Sequence, residues 1–173
     1  MTQQTHKLTT ELIGDREMVM RRAFRAPREL LFQCYADCEH LMNWWGPKEY
    51  PLAVCKQDFR PGGTRHLCMR GTNGEEAWSI GVYKEIVEPE RIVYTDAFSN
   101  AAGDSIPPES FETVTFESQG ETTVLQIHTR YDSAEDRQTV IEMGVEQGFN
   151  SSLDRLDAHL RELQRLRPNG ATG

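Results

Sequence analysis

The sequence predicts an α+β domain in which one antiparallel sheet wraps around a long C-terminal helix. Three observations predict it. Six strand-like segments between Leu52 and Tyr131 are joined by short turns, which makes an antiparallel sheet. Residues 133–166 contain no proline before Pro168 and place Phe149, Leu153, Leu156, Leu160 and Leu163 at alternating steps of four and three, one apolar helical stripe. Two short helical segments sit between the first strand and the rest, too closely joined to form a domain of their own. A single long helix must then cover one face of the sheet.

In chain order, residues 1–15 read as a polar N-terminal extension, residues 16–166 as the single domain and residues 167–173 as a flexible tail. Glu17–Phe24 is the first strand. Ala26-Pro27 opens a helix carrying Leu30, Leu31 and Cys34, since proline is tolerated in a first turn. Asp37 caps a shorter helix with Leu41, Trp44 and Trp45, which Gly46-Pro47 stops. The strands Leu52–Phe59 and Thr64–Arg70 flank the turn Arg60-Pro61-Gly62-Gly63, and the second of them has Leu67 and Met69 on one face. Gly71-Thr72-Asn73-Gly74 is a hairpin, because Asn-Gly accepts positive φ. Strands Trp78–Val87 and Ile92–Phe98 follow, the latter with Ile92, Tyr94 and Asp96 on one face. Residues 100–110 are rich in Gly, Ala, Pro and Asp and read as a mobile loop. Phe111–Glu117 carries Glu112 in line with Val114 and Phe116, and Thr122–Tyr131 carries Leu125, Ile127 and Thr129 on one face.

The last helix starts at Asp132 or Ser133, with Glu135 and Asp136 at the positive end of its dipole. Gly144, Gly148 and Ser152 share a face with almost no side chain. Glycine costs about 1 kcal/mol against alanine in a helix interior, so something lies close to the backbone there. That is a strand or a bound molecule, and close helix–sheet contact is the simpler account.

The net charge of −8 gives no general attraction to nucleic acid or anionic lipid. No apolar run approaches the roughly 20 residues of a membrane span, and the first ten residues lack a signal-peptide core, so a cytoplasmic protein is expected. Cys34, Cys38, Cys55 and Cys68 form no CxxC pair and are expected to be reduced. Cys38-Glu39-His40 is a partial ligand set without a second cluster at zinc spacing, so no metal is expected.

An ordered set of motifs carries a resemblance. Phe24-Arg25-Ala26-Pro27-Arg28-Glu29-Leu30-Leu31-Phe32, Trp44-Trp45-Gly46-Pro47, Asp58-Phe59-Arg60-Pro61-Gly62-Gly63, Met69-Arg70-Gly71, Gly81-Val82-Tyr83-Lys84-Glu85-Ile86, Pro89-Glu90-Arg91-Ile92-Val93-Tyr94-Thr95-Asp96 and Gly148-Phe149-Asn150-Ser151-Ser152-Leu153-Asp154 occur in this order. Over residues 16–166 the chain resembles the C-terminal-domain family of the activator of the ninety-kilodalton heat-shock chaperone ATPase, within the START, SRPBCC and polyketide-cyclase superfamily. The resemblance implies a helix-grip fold and a deep cavity between helix and sheet that takes apolar ligands. It implies no single function, because the chaperone activity belongs to two-domain eukaryotic proteins whose N-terminal domain has no counterpart in this sequence.

No Gly-rich phosphate loop, G-x-S-x-G or H-E-x-x-H motif occurs, and His6, His40, His66, His128 and His159 are scattered. No catalytic residue and no cofactor is therefore assigned. Strand alternation and helix spacing place Leu67, Met69, Trp78, Tyr94, Phe116, Leu125 and Ile127 around the expected cavity, facing Gly148 and Ser152, with one of Trp44 and Trp45 in the core and Trp45 near the mouth. Asp96 and Glu112 are its polar groups. They either repel one another, keeping one protonated, or sit ionised at a wet rim. The favoured function is binding of a small hydrophobic or amphipathic molecule. The alternatives are a cyclase-, dehydratase- or hydrolase-like enzyme in the same cavity and a stress-response co-chaperone. The expected partners are an unknown apolar molecule and, through sheet edges, a second copy of the chain; a chaperone partner belongs to the third reading.

Overall fold

Hydrogen-bonding runs in the order β1-β2-β8-β7-β6-β5-β4-β3, every neighbouring pair antiparallel. The strands are β1 (Thr9–Ile13), β2 (Glu17–Phe24), β3 (Leu52–Gln57), β4 (Thr64–Arg70), β5 (Glu76–Val87), β6 (Arg91–Ser99), β7 (Ile106–Gln119) and β8 (Thr122–Tyr131). The helices are α1 (Arg28–Ala36), α2 (Cys38–Leu41), α3 (Ala134–Glu142) and α4 (Val145–Arg165). The computed structural model describes residues 7–166, so the expected tail from residue 167 lies outside the described residues.

The sheet bends because three pairings slip, at Leu52/Val54, Tyr83/Glu85 and Ala97/Phe98. Gly81 sits beside the middle slip, where a Cβ would collide with the Thr95 carbonyl. Only glycine lets β5 and β6 approach so closely. Against the concave face lies the apolar stripe of α4, with Leu153, Leu156 and Leu160 buried and Phe149 and Leu163 packed at its margins. Helix α1 adds Leu31, Phe32 and Tyr35, whose rings meet Phe116 edge-on at 5.5 Å from both aromatic neighbours. The result is the expected helix-grip arrangement, with α1 and α2 closing one end.

Four expectations need correction. The stretch read as a polar extension contains β1, which pairs with β2 from Thr9↔Arg21 to Ile13↔Glu17; its residues, Leu12 and Ile13 included, stay largely exposed, because an edge strand outside the core needs only backbone partners. The segment read as a mobile loop to Ser110 is shorter, because β7 starts at Ile106 and pairs it with Phe98. The single helix over 133–166 is two. Ser133 caps α3, its Oγ accepting the Asp136 amide at 3.0 Å, and the chain then breaks at Gly144 with φ +90°, a left-handed value that suits glycine. The cysteines are not all reduced. Cys38 and Cys55 are bridged, joining α2 to β3, while Cys34 and Cys68 are free and buried. Their 17-residue separation carries no motif, so spacing alone gave no reason to pair them.

Candidate functional site

Where α4 begins, the grip is loose. The glycine break turns α3 away from the line of α4, and the face bearing Gly144, Gly148 and Ser152 stands off the sheet. A Cβ placed on Gly148 would meet nothing within 4 Å. The small-residue face is therefore not a close helix–sheet contact, and it floors a cavity of about 310 Å³. Trp45, Gly46 and Pro47 line it together with Val140, Met143 and Phe149, the Trp45 and Phe149 rings meeting edge-on at 6.0 Å, and strands β4 to β8 contribute the rest. Met143 is 62% exposed and Phe98 39% exposed, so apolar side chains extend from the cavity to the surface at its mouth.

Of the residues assigned from sequence, Trp45, Met69, Tyr94, Asp96, Glu112, Gly148 and Ser152 line this space. Leu67, Phe116, Leu125 and Ile127 do not. They share the concave face but lie fully within the core, in one cluster with Leu31, Phe32 and Tyr35 of α1 and Leu153, Leu156 and Leu160 of α4. Trp78 is on the opposite face of β5 from the cavity-lining Ser79, its ring 4.8 Å from His66 and its Nε1 donating to Glu76 at 3.1 Å. Trp44 is the core member of the tryptophan pair, buried, with Nε1 donating to the Cys34 carbonyl at 3.1 Å.

The polar groups are ordered by strand register. Tyr94 lies opposite Glu112, Asp96 opposite Ser110, and Glu112 opposite Thr129. Glu112 accepts from Ser110 Oγ at 2.7 Å and Thr129 Oγ1 at 2.8 Å, so both its oxygens are held. Burial nonetheless raises its pKa, against the lowering effect of those two hydrogen bonds. Asp96 is less tied. Burial pushes its carboxyl up to about 7; Arg65 opposes this and Glu112 adds to it. Glu112 is thus buried away from a wet rim, while the Asp96 side chain keeps 31% exposure where it lines the cavity.

Arg65 is the residue the sequence reading passed over. It is buried at 1% exposure, stacked 4.4 Å over the Tyr94 ring and 5.0 Å over Trp45, and its Nε donates to Tyr83 Oη at 3.3 Å. Its Nη1 stands 4.0 Å from Asp96 Oδ1, beyond hydrogen-bond length, and neither atom has a hydrogen-bond partner. Arg65 precedes Leu67 and Met69 by steps of two, so alternation along β4 already put a cation on the inward face. Tyr131, Thr129 and Phe149 were also missed as lining residues. Tyr131 and Phe149 come from the ends of β8 and α4, where the break at Gly144 decides what faces the sheet.

The arrangement is an apolar chamber with one ordered carboxylate, one carboxyl poised near neutrality and a buried cation behind it. It suits a molecule with an apolar body and a polar end that donates and accepts hydrogen bonds. No helix among the described residues is long and apolar enough to cross a membrane.

Residues 25–161 match the family model described as "Activator of Hsp90 ATPase homolog 1-like protein". No curated protein matches the chain. Among solved structures, protein Ms6760 from Mycobacterium smegmatis is 30% identical with a TM-score of 0.81, over 88% of this chain and 96% of that one. A protein from Arthrobacter aurescens is 24% identical with a TM-score of 0.84, over 89% and 91%. The AHSA1 protein from Silicibacter pomeroyi is 23% identical with a TM-score of 0.69, over 84% and 97%; the latter two show the shared fold alone.

Proposed function

Since the chain belongs to the Activator of Hsp90 ATPase homolog 1-like family, whose helix-grip fold serves ligand-binding or co-chaperone-like domains, we propose that it binds a small apolar or amphipathic molecule between the sheet and α4. The observation that carries this is the cavity of about 310 Å³ floored by Gly148 and walled by Trp45, Phe149 and Met143, with Asp96 inside. Apolar walls supply the affinity by removing ligand surface from water, at roughly 25 cal/mol per Å². Asp96 and Glu112 orient the polar end. The open floor at Gly148 supports the same reading, because a glycine whose Cβ would touch nothing has no packing reason to be there.

A fluorescent apolar probe tests the reading. Binding is expected in the low micromolar range, about −8 kcal/mol, with a change in Trp45 emission that persists when Trp78 is replaced by Phe. Absence of saturable binding, with a chaperone retained from solution instead, would replace this reading with the co-chaperone one. A second reading, an enzyme in the same cavity, is favoured by Asp96 alone, since a carboxyl titrating near neutrality suits proton transfer. Turnover of a bound carbonyl compound that disappears in Asp96→Asn while probe binding remains would support it.

A further inference from the structure

We propose that Cys34, His40 and His159 form a binding site for a zinc-class transition-metal cation, apart from the cavity. The three come from α1, α2 and α4, and none of them lines the cavity. Their ligand atoms all lie within 4.8 Å of one another. His40 Nδ1 and His159 Nε2 face each other at 3.0 Å. Bond lengths of about 2.0–2.3 Å to imidazole nitrogen and thiolate sulfur put the ligands of one tetrahedral ion roughly 3.3–3.6 Å apart. The observed spread brackets that range, so side-chain adjustment without backbone movement makes the set.

The chemistry of the donors selects the ion. One thiolate and two imidazoles match borderline-soft cations and reject magnesium and calcium, which take oxygen. A 3.0 Å contact between two imidazole nitrogens needs one of them unprotonated, so at least one ring is already in its ligand form. The ion displaces the Cys34 thiol proton to solvent, and the proton shared between the rings passes to the outward nitrogen of the ring that held it, so that His40 Nδ1 and His159 Nε2 both offer lone pairs. Three protein ligands leave the fourth tetrahedral position to solvent. Cys34 is fully buried beneath the rings, while both histidines are half-buried and reach the surface. The neighbouring structure is rigid. The Cys38–Cys55 bridge holds the short helix of His40 to β3, and the Trp44 indole holds the carbonyl of Cys34. Spacing along the chain could not have found the set, because its members are brought together from three helices. The sequence-based expectation of no metal rested on spacing.

The test uses the full chain with its bridge intact, which a count of two free thiols establishes. Cobalt(II) is titrated in as a spectroscopic stand-in for zinc. The expected result is one equivalent bound with the visible absorption of a four-coordinate ion and a thiolate charge-transfer band, competed away by zinc and not by magnesium. Cys34→Ser should lose the charge-transfer band. His159→Gln should weaken binding by more than about a hundredfold, beyond the 10–100-fold of an outer-shell partner. Zinc should raise the melting temperature of the parent and not of His159→Gln. Unchanged apolar-probe binding in both variants reports that they are folded. A full charge-transfer band in Cys34→Ser, equal affinity in His159→Gln, or no cobalt uptake by the parent would each overturn the proposal.

Discussion

At the scale of single residues, Asp96 governs how the protein responds to pH. Its ordinary value is 3.8 and the folded chain holds it near 7, so between those values the folded state keeps a proton that the unfolded state has lost. The contribution of Asp96 to stability therefore falls as pH rises through that window and levels off above about 7, against an opposite contribution from His159, whose pKa burial lowers. Glu112, also raised by burial, adds in the same direction as Asp96. Denaturant melts across this range should show the decline, and Asp96→Asn should flatten it. A neutral apolar probe should bind more weakly above pH 7, when a charge enters the chamber; equal affinity at pH 6 and pH 8 would show that Asp96 does not face the ligand. Gly148 gives a second prediction. With no atom near its missing Cβ, Gly148→Ala should stabilise the protein by about 0.5–1 kcal/mol through helix propensity. Gly148→Leu should have a different outcome. The leucine fills the cavity, and probe affinity should drop at least about tenfold with the melting temperature kept.

At the scale of elements, the Cys38–Cys55 bridge staples a four-residue helix that could not persist alone. Closing a loop of this length contributes about 3 kcal/mol in the chain-entropy account. Cys55→Ser or mild reduction should lower unfolding free energy by that order, measured by denaturant titration. Element boundaries also show what a sequence can and cannot reveal. The strands β2 to β8 and the stripe of α4 were legible because period-two and period-3.6 apolar patterns survive without knowledge of neighbours. The strand β1 was not, because its residues are mostly exposed and only its backbone pairs. The break at Gly144 was hidden for a related reason. A glycine inside a helical pattern reads the same whether it accommodates a neighbour or turns the chain at φ +90°. Arg65 was legible by alternation, yet a lone arginine among apolar residues gives no sign of the aromatic rings that surround it.

At the scale of the whole molecule, the grip is tight at one end and open at the other. Arg155 explains part of this. Its guanidinium donates to the carbonyls of Asn43, Trp45 and Gly46, tying α4 to the wall that carries Trp45. Arg155→Ala should loosen that wall, raise the mobility of Trp45 in fluorescence anisotropy and weaken probe binding more than Arg161→Ala, whose side chain is 78% exposed and pairs with Asp157 one turn away. Strand alternation shows which side chains share the concave face, but not which of them meet the cavity and which lie in the core beside it. That division depends on where α1 and α4 cover the sheet, and for Phe149 on where α4 starts.

Helix α3 has no fully buried side chain; it is held by Val140 packed against Met18, Met20 and Tyr131, by the Ser133 cap and by Arg137, which donates to the carbonyls of Ile13, Gly14 and Glu17. An element with so little apolar surface against its neighbours opens at a small fraction of the global unfolding free energy. In deuterated water its amides should exchange well before those of α4, together with the β1–β2 turn that Arg137 holds. Because Val140 and Met143 are wall residues of the cavity, a bound molecule would make contact with this least protected segment. The slowing of deuterium uptake across residues 134–142 should then report occupancy directly, even for a ligand that carries no chromophore.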